Sequence, residues 1–360
     1  MNKADIRAEA ERFYAAFQAA GARPVEADIL LPAETLLDLY GEDIRARAYV
    51  TQDPLRGEMM LRPDFTVPVV QAHMAHGADP ARYTYMGEVF RKQDTLMPRA
   101  AEYMQVGFEI FDRSAPEEAD AEVFALIADL LAPLAVTPAT GDIGILMAAI
   151  RGLETTETRR AALLRHVWRP RRFRHLLDRY AGRVGPHPAR LRLLAALAEG
   201  RLPRTGSHIG LRSTSEIAAR IHALAEDAGT PPVPARQADL LEDLMTLSGP
   251  APQALERLRD IAVDMPQIAD AVERFGARLS AMKARGIAVD ALPFETGHGR
   301  SSLEYYDGFV FAFHSADPAL SPVAQGGRYD ALTRMLGQGR SIPAVGGIIR
   351  PHVTAALRAG

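Results

Sequence analysis

Two neighbouring stretches, Tyr85–Arg91 and Tyr103–Ile110, sort their side chains by alternate positions, and this constrains the fold more than any other feature of the chain. Successive side chains of a strand point to opposite faces. In the first stretch Tyr85, Gly87, Val89 and Arg91 share a face. In the second, Met104, Val106, Phe108 and Ile110 form a continuous apolar face, while Gln105, Gly107 and Glu109 form the other. Residues 83–111 therefore predict a strand–loop–strand unit whose loop is Lys92–Glu102. The polar row has two readings. It is either the wet face of an antiparallel sheet or a wall on which glycine lets a ligand approach the backbone.

The rest of the chain divides by texture. Residues 2–20 predict an amphipathic helix with Phe13 and Phe17 one turn apart. Residues 45–70 predict sheet with a tight connection, and 116–136 a helix with acids near its start, where the macrodipole favours them. From 142 to 285 the sequence is helical, rich in Ala, Leu and Arg, and broken by Pro or Gly. Residues 286–360 return to strand-like, Gly- and aromatic-rich sequence. The expected organisation is a sheet domain whose first part is 1–141 and second part 286–360, interrupted by a helical insertion at 142–285.

Composition excludes several classes of function. With no cysteine among 360 residues there is no disulfide framework, thiolate metal site or cysteine nucleophile. A net charge of −3 argues against a globally basic nucleic-acid binder. No apolar run approaches the roughly 20 residues of a membrane helix, and the charged start Met1–Glu9 has no signal-peptide core. Residues 151–180 carry nine arginines, but Leu163, Val167, Phe173, Leu177 and Tyr180 follow helical spacing. Two amphipathic helices broken at Pro170, with arginines on their wet faces, account for the run. His73 and His76 lack a third ligand nearby, so no metal is expected. Gly297-His298-Gly299-Arg300 lacks the context of a phosphate loop and predicts a turn.

The pattern Phe90-Arg91…Arg99…Tyr103-x-Gln105-x-Gly107-x-Glu109 resembles motif 2 of class II aminoacyl-tRNA synthetases, in the form found in histidyl-tRNA synthetase. Further elements follow in the same order. Leu61-Arg62-Pro63-Asp64-Phe65-Thr66 resembles the family's Arg-Pro-Glu-Gly-Thr element, and Leu303-Glu304-Tyr305-Tyr306-Asp307-Gly308 its histidine-specific strand. Gly326-Gly327-Arg328-Tyr329-Asp330 and Pro343-Ala344-Val345-Gly346 resemble the approach to motif 3. Pro32 marks a weak motif 1. The resemblance implies an α+β fold, a class II synthetase-like antiparallel sheet flanked by helices. It also implies a histidine pocket built from Asp64, Thr66, Gln105, Glu109, Tyr305 and Tyr306. Chemically, Asp64 suits an ammonium, Thr66 and Gln105 offer neutral hydrogen bonds, and Glu109 and Tyr306 suit the two imidazole nitrogens. Gly308, Val310 and Ala312 are expected to leave room for the ring, with Phe309, Phe311 and Phe313 in the core.

The sequence also departs from a working synthetase. The family's arginine four residues before the Tyr-Tyr pair is Ser301, the motif 3 arginine is Val353, and Pro351 is expected to disturb the helix start there. In motif 2 the adenine-contacting acid is Gln93 and a loop arginine is Ala101, leaving Arg91 and Arg99 as vestigial phosphate-binding residues. With Gly360 soon after Val353, no anticodon-binding domain is expected. This combination resembles the synthetase-like regulatory subunits of ATP phosphoribosyltransferase, which act in histidine biosynthesis. It implies a cytoplasmic, catalytically silent, cofactor-free subunit. Its partners would be a short-form catalytic phosphoribosyltransferase, a second copy of itself and L-histidine as effector. The alternatives are a divergent enzyme that activates an amino acid and a tRNA-binding module.

Overall fold

A computed structural model describes residues 2–40, 47–93, 100–201, 213–299 and 305–359. Its strands are β1 (Arg23–Pro24), β2 (Leu30–Pro32), β3 (Val50–Asp53), β4 (Gly57–Leu61), β5 (Ala81–Phe90) and β6 (Glu102–Phe111). These are followed by β7 (Val136–Asp142), β8 (Ser248–Pro250), β9 (Pro293–Glu295), β10 (Phe309–Ser315), β11 (Ala324–Arg328) and β12 (Ala344–Ile349). Nine of them form one sheet in the order β1-β5-β6-β12-β11-β10-β7-β9-β8. The run from β5 to β7 is antiparallel throughout, as expected. The outer pairs β1/β5 and β7/β9 are parallel, so the sheet as a whole is mixed. A separate three-stranded sheet, β2-β4-β3, takes β3 and β4 from the sheet expected over 45–70, adds β2 from outside that range, and gives way to a helix at Thr66.

Helix Lys3–Ala19 is capped by Asn2, whose side chain accepts from the Asp5 backbone N–H while the Asp5 carboxylate accepts from that of Asn2. This satisfies two of the helix's orphan donors. Its buried Phe17 stacks on Phe108 of β6 at 5.3 Å. Helix Pro116–Leu131 covers β10, and Phe124 meets Phe309, Phe311 and Phe313 at ring separations of 6.3, 5.5 and 5.2 Å. Each such buried ring contributes roughly 1.5–3 kcal/mol through burial. Helix Ala269–Ala284 brings Arg278 to Asp120 at 3.2 Å and Asp142 at 2.6 Å, and all three are buried.

The chain separates into two compact units, residues 1–148 with 244–360, and residues 149–243. The helical unit is thus narrower than the 142–285 read from the sequence. β7 pairs with β10 through Asp142, and Arg278 lies among the carboxylates of the sheet-bearing unit. Periodicity of 3.6 identifies a helix but not whether its apolar stripe meets a sheet or another helix. Within the helical unit, helix Pro170–Tyr180 begins at Pro170 and buries Phe173, Leu177 and Tyr180. Arg171, Arg172 and Arg174 are exposed, as expected. Arg159 is the exception: it is buried, paired with Asp227 at 2.5 Å and bonded to the Pro231 carbonyl at 2.8 Å.

Candidate functional site

The polar row of β6 is buried. Gln105 and Glu109 are each 1 % exposed, so this is not a wet sheet face. β6 lies between β5 and β12, with Tyr85 and Ile348 opposite Gly107, Gly87 opposite Gln105, and Gly346 opposite Glu109. Buried polar groups need partners. The Tyr85 hydroxyl donates to Glu109 Oε1 at 2.8 Å and the Tyr329 hydroxyl to Oε2 at 2.6 Å. Burial pushes the Glu109 carboxyl up to about 7, and the nearby Asp64 charge adds to this, while Tyr329, Tyr85 and Thr66 oppose it by hydrogen bonding.

Two glycines make this arrangement possible, in a way alternation alone does not reveal. A Cβ on Gly346 would lie 1.4 Å from Glu109 Oε2, so glycine there makes room for the carboxylate. A Cβ on Gly107 would lie 2.1 Å from Tyr85 Cζ. The space over Gly107 is therefore filled by the Tyr85 ring, not by a ligand. Phe65 in turn stacks on Tyr85 at 4.5 Å, and Arg62 lies over Phe65 while bonding the Glu88 carbonyl at 2.8 Å. The Phe90 N–H bonds the Arg62 carbonyl at 3.0 Å and Arg91 Nε the Pro63 carbonyl at 3.0 Å. These bonds fix Asp64 and Thr66, which starts helix Thr66–His76, against the sheet.

Tyr305 and Tyr306 precede β10, which starts only at Phe309. Their position comes from Asp307, not from strand pairing. The Asp307 N–H bonds the Arg328 carbonyl at 3.0 Å, and its carboxylate accepts from the N–H groups of Asp330 and Ala331 at 2.9 and 2.6 Å. Burial, with Asp330 alongside, raises the Asp307 carboxyl to about 7. The Tyr305 hydroxyl lies 3.4 Å from the Thr66 hydroxyl.

These elements surround a small pocket with a cavity volume of about 10 Å³, lined by Asp64, Thr66, Arg91, Gln105, Glu109, Tyr305 and Tyr306, together with Gln325, Tyr329 and Gly346–Ile348. All six residues expected to contact histidine meet there, as does Arg91. Arg99 and Ser301 lie outside the described residues. Gly308, Val310 and Ala312 do not line the pocket; a Cβ on Gly308 would meet the Arg328 side chain at 3.0 Å. Tyr85, Tyr329 and Gln325 escaped the sequence reading of the site, although Tyr85 shares a face with Arg91 and Tyr329 sits in the Gly-Gly-Arg-Tyr-Asp element. Gln105 Oε1 is buried and has no hydrogen-bond partner among the described residues.

A family model described as histidyl-tRNA synthetase matches residues 2–209 and 218–351. Proteins of Brucella ovis and Brucella abortus named ATP phosphoribosyltransferase regulatory subunit are each 32 % identical over 343 residues, covering 89 % of this chain and 89 % of theirs. The chain belongs to the ATP phosphoribosyltransferase regulatory subunit family. The family's histidyl-tRNA synthetase fold is also that of two solved structures. A Bacillus halodurans C regulatory subunit/histidyl-tRNA synthetase matches with a TM-score of 0.69 at 21 % identity, covering 99 % of this chain and 79 % of its own. Histidyl-tRNA synthetase of Nostoc sp. PCC 7120 matches with a TM-score of 0.62 at 17 % identity, covering 99 % and 71 %.

The C-terminal helix departs from the expectation. Pro351 does not disturb a helix but begins one, Pro351–Ala359, where its missing N–H is not needed. Val353 is buried in that helix. His73 packs on Phe111 at 3.9 Å and its Nδ1 lies 3.1 Å from the Tyr83 hydroxyl, while His76 is exposed. No cluster of three metal-ligating side chains occurs among the described residues. No described helix is long and apolar enough to cross a membrane.

Proposed function

We propose that this chain is a non-catalytic regulatory subunit whose pocket binds free L-histidine and reports its presence to a separate catalytic ATP phosphoribosyltransferase. The observation that carries this reading is the convergence of Asp64, Thr66, Gln105, Glu109, Tyr305 and Tyr306 on one buried pocket. The Gln105 acceptor answers an ammonium donor, and Glu109, held by two phenols, answers an imidazole N–H. Feedback inhibition follows from linkage. Histidine binds the less active arrangement of the complex more tightly, and a coupling of about 1–3 kcal/mol gives useful inhibition.

The test is reconstitution with the short catalytic phosphoribosyltransferase of the same organism. Addition of this chain is expected to give a stable hetero-oligomer by light scattering and to raise the rate at which ATP and phosphoribosyl pyrophosphate condense. Absence of a complex, with the catalytic chain's rate unchanged, refutes the partnership. Histidine-dependent exchange of pyrophosphate into ATP by this chain alone, abolished in Arg91→Ala, would instead make it an enzyme.

A further inference from the structure

Among the described residues, four arginines are at least nine-tenths buried: Arg62, Arg159, Arg278 and Arg350. Three of them have carboxylates to answer their charge. Arg278 pairs with Asp120 and Asp142, and Arg159 with Asp227. Arg62 lies within electrostatic range of Glu88 and Asp28. Arg350, 5 % exposed, has none among the described residues. Its Nη1 donates to the Pro322 carbonyl at 2.6 Å, its side chain also bonds Tyr103, and the guanidinium of Arg91 and the imidazoles of His314 and His352 lie within electrostatic range. A buried cation with no carboxylate partner is costly unless an anion answers it.

Its place in the sheet shows where that anion would sit. Arg350 immediately follows β12 and continues its pairing with the β11 edge, its N–H bonding the Val323 carbonyl at 2.9 Å. By alternation it falls on the same face as Gly346 and Ile348, both of which line the pocket. On β6, Tyr103 shares a face with Gln105 and Glu109 by the same rule. Tyr306 is also within electrostatic range of Arg350. Asp64, Glu109 and Arg91 line the pocket, and Arg350 lies beside it, on the face that carries Gly346 and Ile348.

We propose that Arg350, with Arg91, forms an oxyanion-binding subsite of this pocket, taking the carboxylate of an amino acid or a phosphate group. This deepens the histidine reading and rests on it for the first source only. Arg350 contributes positive charge from the residue that immediately follows β12, far in sequence from Ser301. The sequence concealed this role because Arg350 lies three residues before Val353, where the resemblance places the missing arginine.

The experiment is titration calorimetry of the full chain with L-histidine, with L-histidinol, whose alcohol replaces the carboxylate, and with pyrophosphate. Wild-type, Arg350→Lys and Arg350→Met chains are compared, each after a thermal melt. If the oxyanion is the carboxylate, the wild type binds histidine about tenfold or more tighter than histidinol. Arg350→Met then reduces that preference to about twofold or less, and Arg350→Lys keeps part of it. If the oxyanion is a phosphate, Arg350→Met weakens pyrophosphate binding about tenfold and leaves the histidine-to-histidinol ratio unchanged. Pyrophosphate binding that depends on Arg350 in a chain blind to histidine retains the subsite and removes the histidine reading. An Arg350→Met chain that melts like the wild type and binds all three compounds equally well overturns the proposal. Should that variant fail to fold, Arg350→Lys decides: affinities for histidine and pyrophosphate both unchanged overturn the proposal, and loss of either supports it.

Discussion

The two faces of β6 are both buried, yet different physics holds each. On one, Val106, Phe108 and Ile110 meet apolar neighbours such as Phe17, and volume and hydrophobicity suffice. On the other, Gln105 and Glu109 need specific donors and acceptors. Glu109 obtains its two from Tyr85, 24 residues away, and Tyr329, 220 residues away. The apolar face thus stabilises the fold, while the polar face incurs a desolvation cost that its phenols offset only in part. Such a face is well suited to a ligand that supplies the remaining partner.

The largest expected effect lies on the apolar face. Phe108→Ala should lower unfolding stability by about 3–5 kcal/mol in urea melts, because it leaves a cavity beneath helix Lys3–Ala19. A loss below about 1 kcal/mol would mean that this face does not carry the core.

The polar face should show itself through pH. Burial raises the Glu109 carboxyl to about 7 from its ordinary value near 4.5, so between these values the folded chain holds a proton that the unfolded chain has released. Its stabilising contribution is complete below the unfolded value and is lost as pH rises through the folded one. Wild-type stability should therefore fall between about pH 4.5 and pH 7, by on the order of 2–3 kcal/mol from this group. Glu109→Gln should flatten that part of the profile. Identical slopes in the two chains would contradict the burial of Glu109 as an acid.

A smaller effect is expected from Gly346→Ala, whose new methyl would collide with Glu109 Oε2. Displacement of the carboxylate should cost about 1–3 kcal/mol. It should also weaken histidine binding, whereas Phe108→Ala should spare the affinity of the chains that remain folded. Gly346→Ala with wild-type stability and affinity would show that the carboxylate can move freely.

The same contrast explains what the sequence disclosed. Alternation in Tyr103–Ile110 identified β6 and its apolar face, and Phe309, Phe311 and Phe313 were readable as core because burial of such residues depends little on their particular partner. Ordered elements also brought Asp64, Thr66, Gln105, Glu109 and the tyrosine pair to one pocket. Partnerships across long separations were not legible. Nothing near Gly107 announces that Tyr85 occupies its space, and nothing near Tyr306 announces that Asp307 binds two backbone N–H groups at the start of another helix. The limits of the helical unit were hidden for a related reason: Ala- and Leu-rich helices look alike whether they pack on a sheet or on each other.

The claim that this pocket senses histidine is tested most directly by an inhibition curve. The reconstituted phosphoribosyltransferase complex is assayed against increasing L-histidine, with either the wild-type regulatory chain or Glu109→Gln. The account predicts that both complexes assemble and turn over, that histidine inhibits the wild-type complex, and that Glu109→Gln shifts the curve about tenfold or more to higher histidine. Superimposable curves would contradict it and place the sensing site outside this pocket.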